Sequence, residues 1–132
     1  MKTLIVEDDP VSSQVLEKMM ARHGSIDVVH DGGQAVERFR QAQDSGEGFS
    51  LVLMDIMMPE VNGLESVQEI RAREKATAAG LSQRVKIIMT TALNDPRTLM
   101  KALYESDADS YLVKPITLDR LDQELRSLKL IG

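Results

Sequence analysis

Cysteine is missing from these 132 residues. Neither a disulfide frame nor a thiolate metal site can therefore form, and a reducing compartment is compatible with the chain. Lys and Arg nowhere gather into a run, and the net charge is −5 at pH 7. The cationic footprint that binds phosphate backbones is lacking, so direct nucleic-acid binding is not expected. Long apolar stretches are also absent. The opening Met1-Lys2-Thr3-Leu4-Ile5-Val6 runs straight into acidic residues, unlike a signal peptide or a membrane span. The expectation is a cytoplasmic protein with no membrane partner.

What is present suits an ordinary globular domain: 42% hydrophobic and 28% charged residues, enough to bury a core and too apolar for disorder. The length predicts a single domain over residues 1–132, with no room for a second catalytic domain.

Five short apolar runs recur, at 3–6, 26–29, 51–54, 85–90 and 110–113, rich in Val, Ile and Leu as buried strands are. Between them apolar residues fall at three-to-four spacing: Val11, Val15 and Met19; Ala35, Phe39 and Ala42; Leu64, Val67 and Ile70; Leu99, Leu103 and Tyr104; Leu118, Leu121, Leu125 and Leu128. This spacing predicts helices. Pro10 and Pro96 suit first helical turns, Gly24 a helix end, and Asp44 to Gly48 a loop. Strict alternation of strand and helix implies right-handed crossovers, a five-stranded parallel sheet and helices on both faces, a doubly wound α/β sandwich. The polar, alanine-rich stretch from Glu74 to Arg84 reads as a helix end plus a loop, with no function assigned.

In such sheets ligands bind beyond the carboxyl ends of the strands. The first run ends Val6-Glu7-Asp8-Asp9-Pro10, the third Met54-Asp55, the fourth Thr90-Thr91-Ala92 and the fifth Val113-Lys114-Pro115. Together they predict an acidic pocket with one cation and a hydroxyl. Clustered carboxylates repel unless a cation neutralises them, and an all-oxygen donor set favours Mg2+ over zinc or copper. Mg2+ keeps several waters and completes its shell with phosphate oxygens. An Asp carboxylate can attack a phosphoryl group, with Mg2+ and a Lys stabilising the transferring oxygens, which makes Asp55 the candidate nucleophile. Each residue has a plainer explanation: Asp8 or Asp9 as the cap of a helix starting at Pro10, Asp55 or Thr91 as further caps, and Lys114-Pro115 as a solvated loop. Convergence of all four strand ends on one sheet edge favours the site.

These motifs, Ile5 to Pro10, Leu53 to Pro59, Thr91-Ala92 and Lys114-Pro115, resemble the response-regulator receiver domains of two-component signalling. The resemblance spans nearly the whole chain and implies a flavodoxin-like (βα)5 fold with strand order 2-1-3-4-5. It makes Asp55 the phosphorylation site, Asp8 a direct Mg2+ ligand, Glu7 a ligand through water and Met57 a ligand through its backbone carbonyl. It makes Lys114 the cation on the phosphate, Thr91 the hydroxyl that moves toward it, and Pro115 the residue after a cis peptide bond. Tyr111 matches an aromatic that turns inward with that movement, changing a face built from the fourth helix, fifth strand and fifth helix; a core-edge aromatic is the alternative. Gly63 is expected to supply a positive backbone angle in the loop after the phosphorylated strand, and Asn62 stands where relatives often carry Asp. Met57 and Leu93 match positions flanking the approach of hydrolytic water, and their apolar side chains predict a long-lived phosphoryl group.

The resemblance implies a phosphohistidine donor on a histidine kinase or phosphotransfer protein, and a downstream target protein. The expected role is a switch rather than an enzyme, monomeric when unphosphorylated. The chain ends just after its last helix with no output domain, so it is expected to be either a stand-alone receiver or one excised from a larger regulator, and Met1 favours the first. The rivals are an aspartyl-phosphate phosphatase, which usually carries a second Asp where Met57 stands, and a phosphorylation-independent interaction module.

Overall fold

The computed structural model describes residues 1–56, 63–76, 84–92, 97, 100 and 104–132. Within them lie strands β1 (Lys2–Val6), β2 (Ser25–Val29), β3 (Leu51–Asp55), β4 (Lys86–Thr91) and β5 (Ser110–Val113), all parallel, in the order β2-β1-β3-β4-β5. Helices α1 (Pro10–Met20), α2 (Gly32–Asp44) and α3 (Gly63–Ala76) follow the first three strands. Helical backbone at 97, 100 and 104–106, labelled α4, precedes β5, and α5 (Leu118–Ser127) follows it. No helix among the described residues is long and apolar enough to cross a membrane.

The sheet divides the core by strand parity, because successive side chains of a strand point to opposite faces. Leu4, Val6, Val52, Met54, Ile87 and Met89 meet Ala35, Phe39, Val67 and Ile70 on the α2–α3 side. Ile5, Leu51, Leu53, Ile88 and Leu112 meet Leu16, Met20, Leu121 and Leu125 on the α1–α5 side. Each fully buried Leu, Ile or Met contributes about 1.5–3 kcal/mol relative to exposure, so both faces are held firmly beneath the sheet edge.

Helix starts are fixed by side-chain caps. Asp9, Asp31 and Thr117 accept from the backbone N–H groups of Ser12, Gln34 and Arg120, and Pro10 fills the first turn of α1. Asp9 is thereby committed to capping.

The expected helix faces need two corrections. In α1 the core takes Ser13, Leu16 and Met20, while Val11 and Val15 are 69% and 43% exposed; the buried stripe lies one step round from the one expected. In the fourth helix Tyr104 is 92% exposed rather than buried. Leu99, Leu103 and Pro96 lie outside the described residues.

Candidate functional site

Four strand ends bring their side chains to one edge of the sheet. Glu7 and Asp8 follow β1, Asp55 ends β3, Thr91 ends β4 and Lys114 follows β5. Their backbones are tied across the edge. Glu7 N–H donates to the Val29 carbonyl at 3.1 Å, Ile56 N–H to the Thr90 carbonyl at 3.0 Å and Lys114 N–H to the Thr91 carbonyl at 2.7 Å. The Lys114–Pro115 peptide bond is cis, as the resemblance implies.

One carboxylate oxygen from each of Glu7, Asp8 and Asp55 lies within 4.8 Å of the other two. Glu7 and Asp55 are buried and Asp8 is exposed. Lys114 reaches into the cluster, its Nζ 2.9 Å from Glu7 Oε2 and 3.4 Å from Asp55 Oδ2. Burial pushes the Glu7 carboxyl above its ordinary range; the Lys114 hydrogen bond opposes this and the Asp55 charge adds to it. Burial works against the Lys114 ammonium, yet the Glu7 hydrogen bond and the Asp55 charge outweigh it and hold its pKa above the ordinary lysine value. Both shifts have one meaning: negative charge held out of water favours any added positive charge. Three oxygen donors in reach of one another, with that charge balance, fit a hard divalent cation.

Thr91 is fully buried at the end of β4, and Tyr111 is half-buried, packed against the α2–α3 core cluster. Met57, Asn62 and Leu93 lie outside the described residues. Gly63 departs from expectation. It opens α3 and is not among the residues with positive φ. Its role is close approach: a Cβ there would lie 2.3 Å from the Asp55 carbonyl oxygen, and its N–H donates to the Ile56 carbonyl at 3.3 Å. Gly→Ala in a helix ordinarily stabilises by propensity, but here backbone would have to move. Gly63→Ala is expected to destabilise by about 1–3 kcal/mol, measured by urea denaturation; a gain in stability would refute the contact.

Two neighbours of the site were not singled out from the sequence. The His30 ring Nδ1 lies 3.2 Å from the Glu7 carbonyl oxygen. Thr90 is aligned with Asp55 across the sheet, and among the described residues its buried hydroxyl has no hydrogen-bond partner. Beside the pocket, Val11, Val15, Leu16, Pro115 and Ile116 line an apolar groove that Lys114 borders.

The family model for the response regulator receiver domain matches residues 3–126. The chain belongs to that family. Its receiver domain is 33% identical over 129 residues to the transcriptional regulatory protein TctD of Salmonella typhimurium, covering 97% of this chain and 51% of that protein. It is 31% identical over 122 residues to the osmosensing histidine protein kinase SLN1 of Saccharomyces cerevisiae, covering 91% of this chain and 9% of the kinase. Among solved structures, the response regulator TrrA of Thermotoga maritima, crystallised in complex with Mg2+ and BeF, superposes with a TM-score of 0.76 at 30% identity, covering 98% of each chain. The receiver domain thus spans about half of TctD and a small part of SLN1. Family and fold make it a signalling module of two-component systems rather than a conventional enzyme.

Proposed function

We propose that residues 1–132 form one phosphoacceptor switch in which Asp55 takes a phosphoryl group from a phosphohistidine on a histidine kinase or phosphotransfer protein. The observation that carries this reading is the convergence of Glu7, Asp8 and Asp55 oxygens within 4.8 Å, with Lys114 bridging two of them. Asp8 and Asp55, with Glu7 through water and the Met57 carbonyl, would hold Mg2+. When bound, Mg2+ supplies positive charge to the phosphoryl oxygens as they pass from donor to acceptor.

The chain's own residues do the rest. An Asp55 carboxylate oxygen attacks phosphorus as the donor's N–P bond breaks. Lys114, already turned toward Asp55, balances charge on the transferred oxygens. The added negative charge and acceptor oxygens draw the Thr91 hydroxyl toward the phosphoryl group, and Tyr111 follows inward. Because Thr91 and Tyr111 lie on β4 and β5, this movement biases two conformations of the surface formed by α4, β5 and α5, where a target protein reads the state. The apolar groove beside Lys114, edged by exposed Val11 and Val15, offers the donor a surface to rest on next to the acceptor. A cytoplasmic location fits the chemistry of a kinase-fed switch, and the unphosphorylated domain acts as a monomer, which light scattering checks.

The test is intact mass after incubation with acetyl phosphate. A gain of one phosphoryl group with Mg2+, abolished by EDTA, is expected. No gain under any condition would leave a phosphorylation-independent interaction module. Continuous release of phosphate from small phosphate esters would point instead to an aspartyl-phosphate phosphatase.

Decay of the phosphorylated protein is expected to be slow, since Met57 and Leu93 offer no hydrogen bond to attacking water. Met57→Asn restores a polar group on that approach and should speed decay by about tenfold, the worth of one well-placed hydrogen bond. A variant that decays no faster than wild type would refute this.

A further inference from the structure

Thr90 is 1% exposed, and among the described residues its Oγ1 has no hydrogen-bond partner. A buried hydroxyl left unpaired is unfavourable, and valine would fill almost the same space without that cost. Position therefore matters. In the parallel register Thr90 is the partner of Asp55 in β3 and of Leu112 in β5, so all three side chains point to the α1–α5 face. Two residues earlier on the same face, Leu53 and Ile88 belong to one apolar cluster, which also holds Leu112. The Thr90 hydroxyl thus has an apolar neighbour on one side and the candidate nucleophile on the other, one strand spacing of about 4.8 Å away. Thr91, the next residue, points by parity to the opposite face.

We propose that Thr90 is a positioning residue for Asp55, its hydroxyl donating a hydrogen bond to the acyl oxygen of that side chain once the phosphoryl group is attached. The inference rests on the phosphoacceptor reading above. In the unmodified chain the Asp55 carboxylate is engaged by Lys114 at 3.4 Å. Phosphorylation uses one carboxyl oxygen for the bond to phosphorus and leaves the other as a carbonyl acceptor, while the phosphoryl oxygens become the stronger attraction for Lys114. The Thr90 hydroxyl then gains its partner. On hydrolysis a water oxygen bonds to phosphorus, the bond between phosphorus and the Asp55 oxygen breaks, and its electron pair returns to the carboxylate. The proton lost by the water passes to the departing phosphate or to solvent. Negative charge grows on Asp55 during this step, so a hydrogen bond donated to it strengthens, and Thr90 hastens the return to the unphosphorylated state.

The experiment compares wild type with Thr90→Val, Thr90→Ala and Thr90→Ser, each loaded with acetyl phosphate and Mg2+ and followed by intact mass after the donor is removed. Thr90→Val is expected to fold with unchanged or higher thermal stability and to lose its phosphoryl group about three- to tenfold more slowly. Thr90→Ala should share the slow decay even if its packing is poorer, and Thr90→Ser should restore wild-type decay. If wild type loads but Thr90→Val and Thr90→Ala decay at its rate, or Thr90→Ser decays as slowly as they do, Thr90 has no such role and the phosphoacceptor reading stands. If wild type itself never loads, that reading falls and the role of Thr90 falls with it.

Discussion

If Asp55 is the acceptor proposed above, Asp55→Asn is expected to lose phosphoryl uptake completely while keeping the fold. The side chains are nearly isosteric, and Asn retains one carbonyl oxygen toward Lys114, now 3.4 Å from Asp55 Oδ2. What disappears is the anionic oxygen that attacks phosphorus, which a neutral amide does not replace. Stability should not suffer, because the exchange removes one negative charge from a buried cluster in which the Glu7 carboxyl is already pushed up by burial and by the Asp55 charge. The measurement is intact mass under loading conditions that give wild type one added phosphoryl group, with the urea midpoint taken on the same samples. An equal mass gain in Asp55→Asn would move the acceptor elsewhere. Asp8→Asn is the companion control. It leaves the nucleophile in place but removes the exposed member of the oxygen cluster, so uptake should fail at Mg2+ concentrations that saturate wild type and return when Mg2+ is raised.

The sheet was legible because its strands are buried on both faces, so continuous apolar runs survive in the sequence. The run at 110–113 coincides with β5, and the others shift by about one residue. The informative shift is at 85–90. Val85 is buried yet lies outside β4, because its N–H donates to Glu74 Oε2 and its carbonyl accepts from Arg71, so side chains rather than a neighbouring strand satisfy it. An apolar residue held this way reads the same as a strand residue. The face of α1 was ambiguous for a related reason. Val11, Val15, Met19 and Ser13, Leu16, Met20 both recur at helical spacing, and only contact with β1 and β2 selects the second.

The site was legible to the extent that strand ends announce it. Glu7, Asp8, Asp55 and Lys114 come together as the doubly wound topology requires. Asp9, one residue from Asp8, instead follows the plainer reading and caps α1, accepting from Ser12 N–H and Oγ. Gly63 was singled out correctly but for the wrong physics, since its lack of a Cβ makes room for Asp55 rather than permitting a positive φ. Thr90 stayed hidden because its importance is one of register, and pairing between β3 and β4 is not encoded in either strand alone. Arg71 was hidden too, since a lone Arg on a helix ordinarily reads as solvated.

Arg71→Met should be the most damaging substitution outside the pocket. The Arg71 side chain is 5% exposed and ties three elements together at the end of the sheet away from the site. Its Nε donates to the Asp107 carbonyl, Nη1 to the Val85 carbonyl and Glu74 Oε1, and Nη2 to Asp109 Oδ2, at 2.7–2.9 Å. The two carboxylates it pairs are also held by backbone: Asp109 Oδ2 accepts from Ile87 N–H as well as from Arg71, and the second Glu74 oxygen accepts from Val85 N–H. Neither can turn to water without breaking the entry into β4. Methionine keeps the alkyl contacts but takes the guanidinium away from two part-buried carboxylates and from the Val85 carbonyl, while the Asp107 carbonyl keeps its bond from Arg84. Removing one partner of a buried pair costs about 3–5 kcal/mol. Thermal unfolding should fall by roughly 10–20 °C for a domain of this size. Phosphoryl uptake in the folded fraction should persist, because the network lies at the opposite strand ends from Asp55. A loss below about 1 kcal/mol, within the range of exposed ion pairs, would show that the carboxylates re-solvate freely and that the network does not hold α3 against β4 and β5.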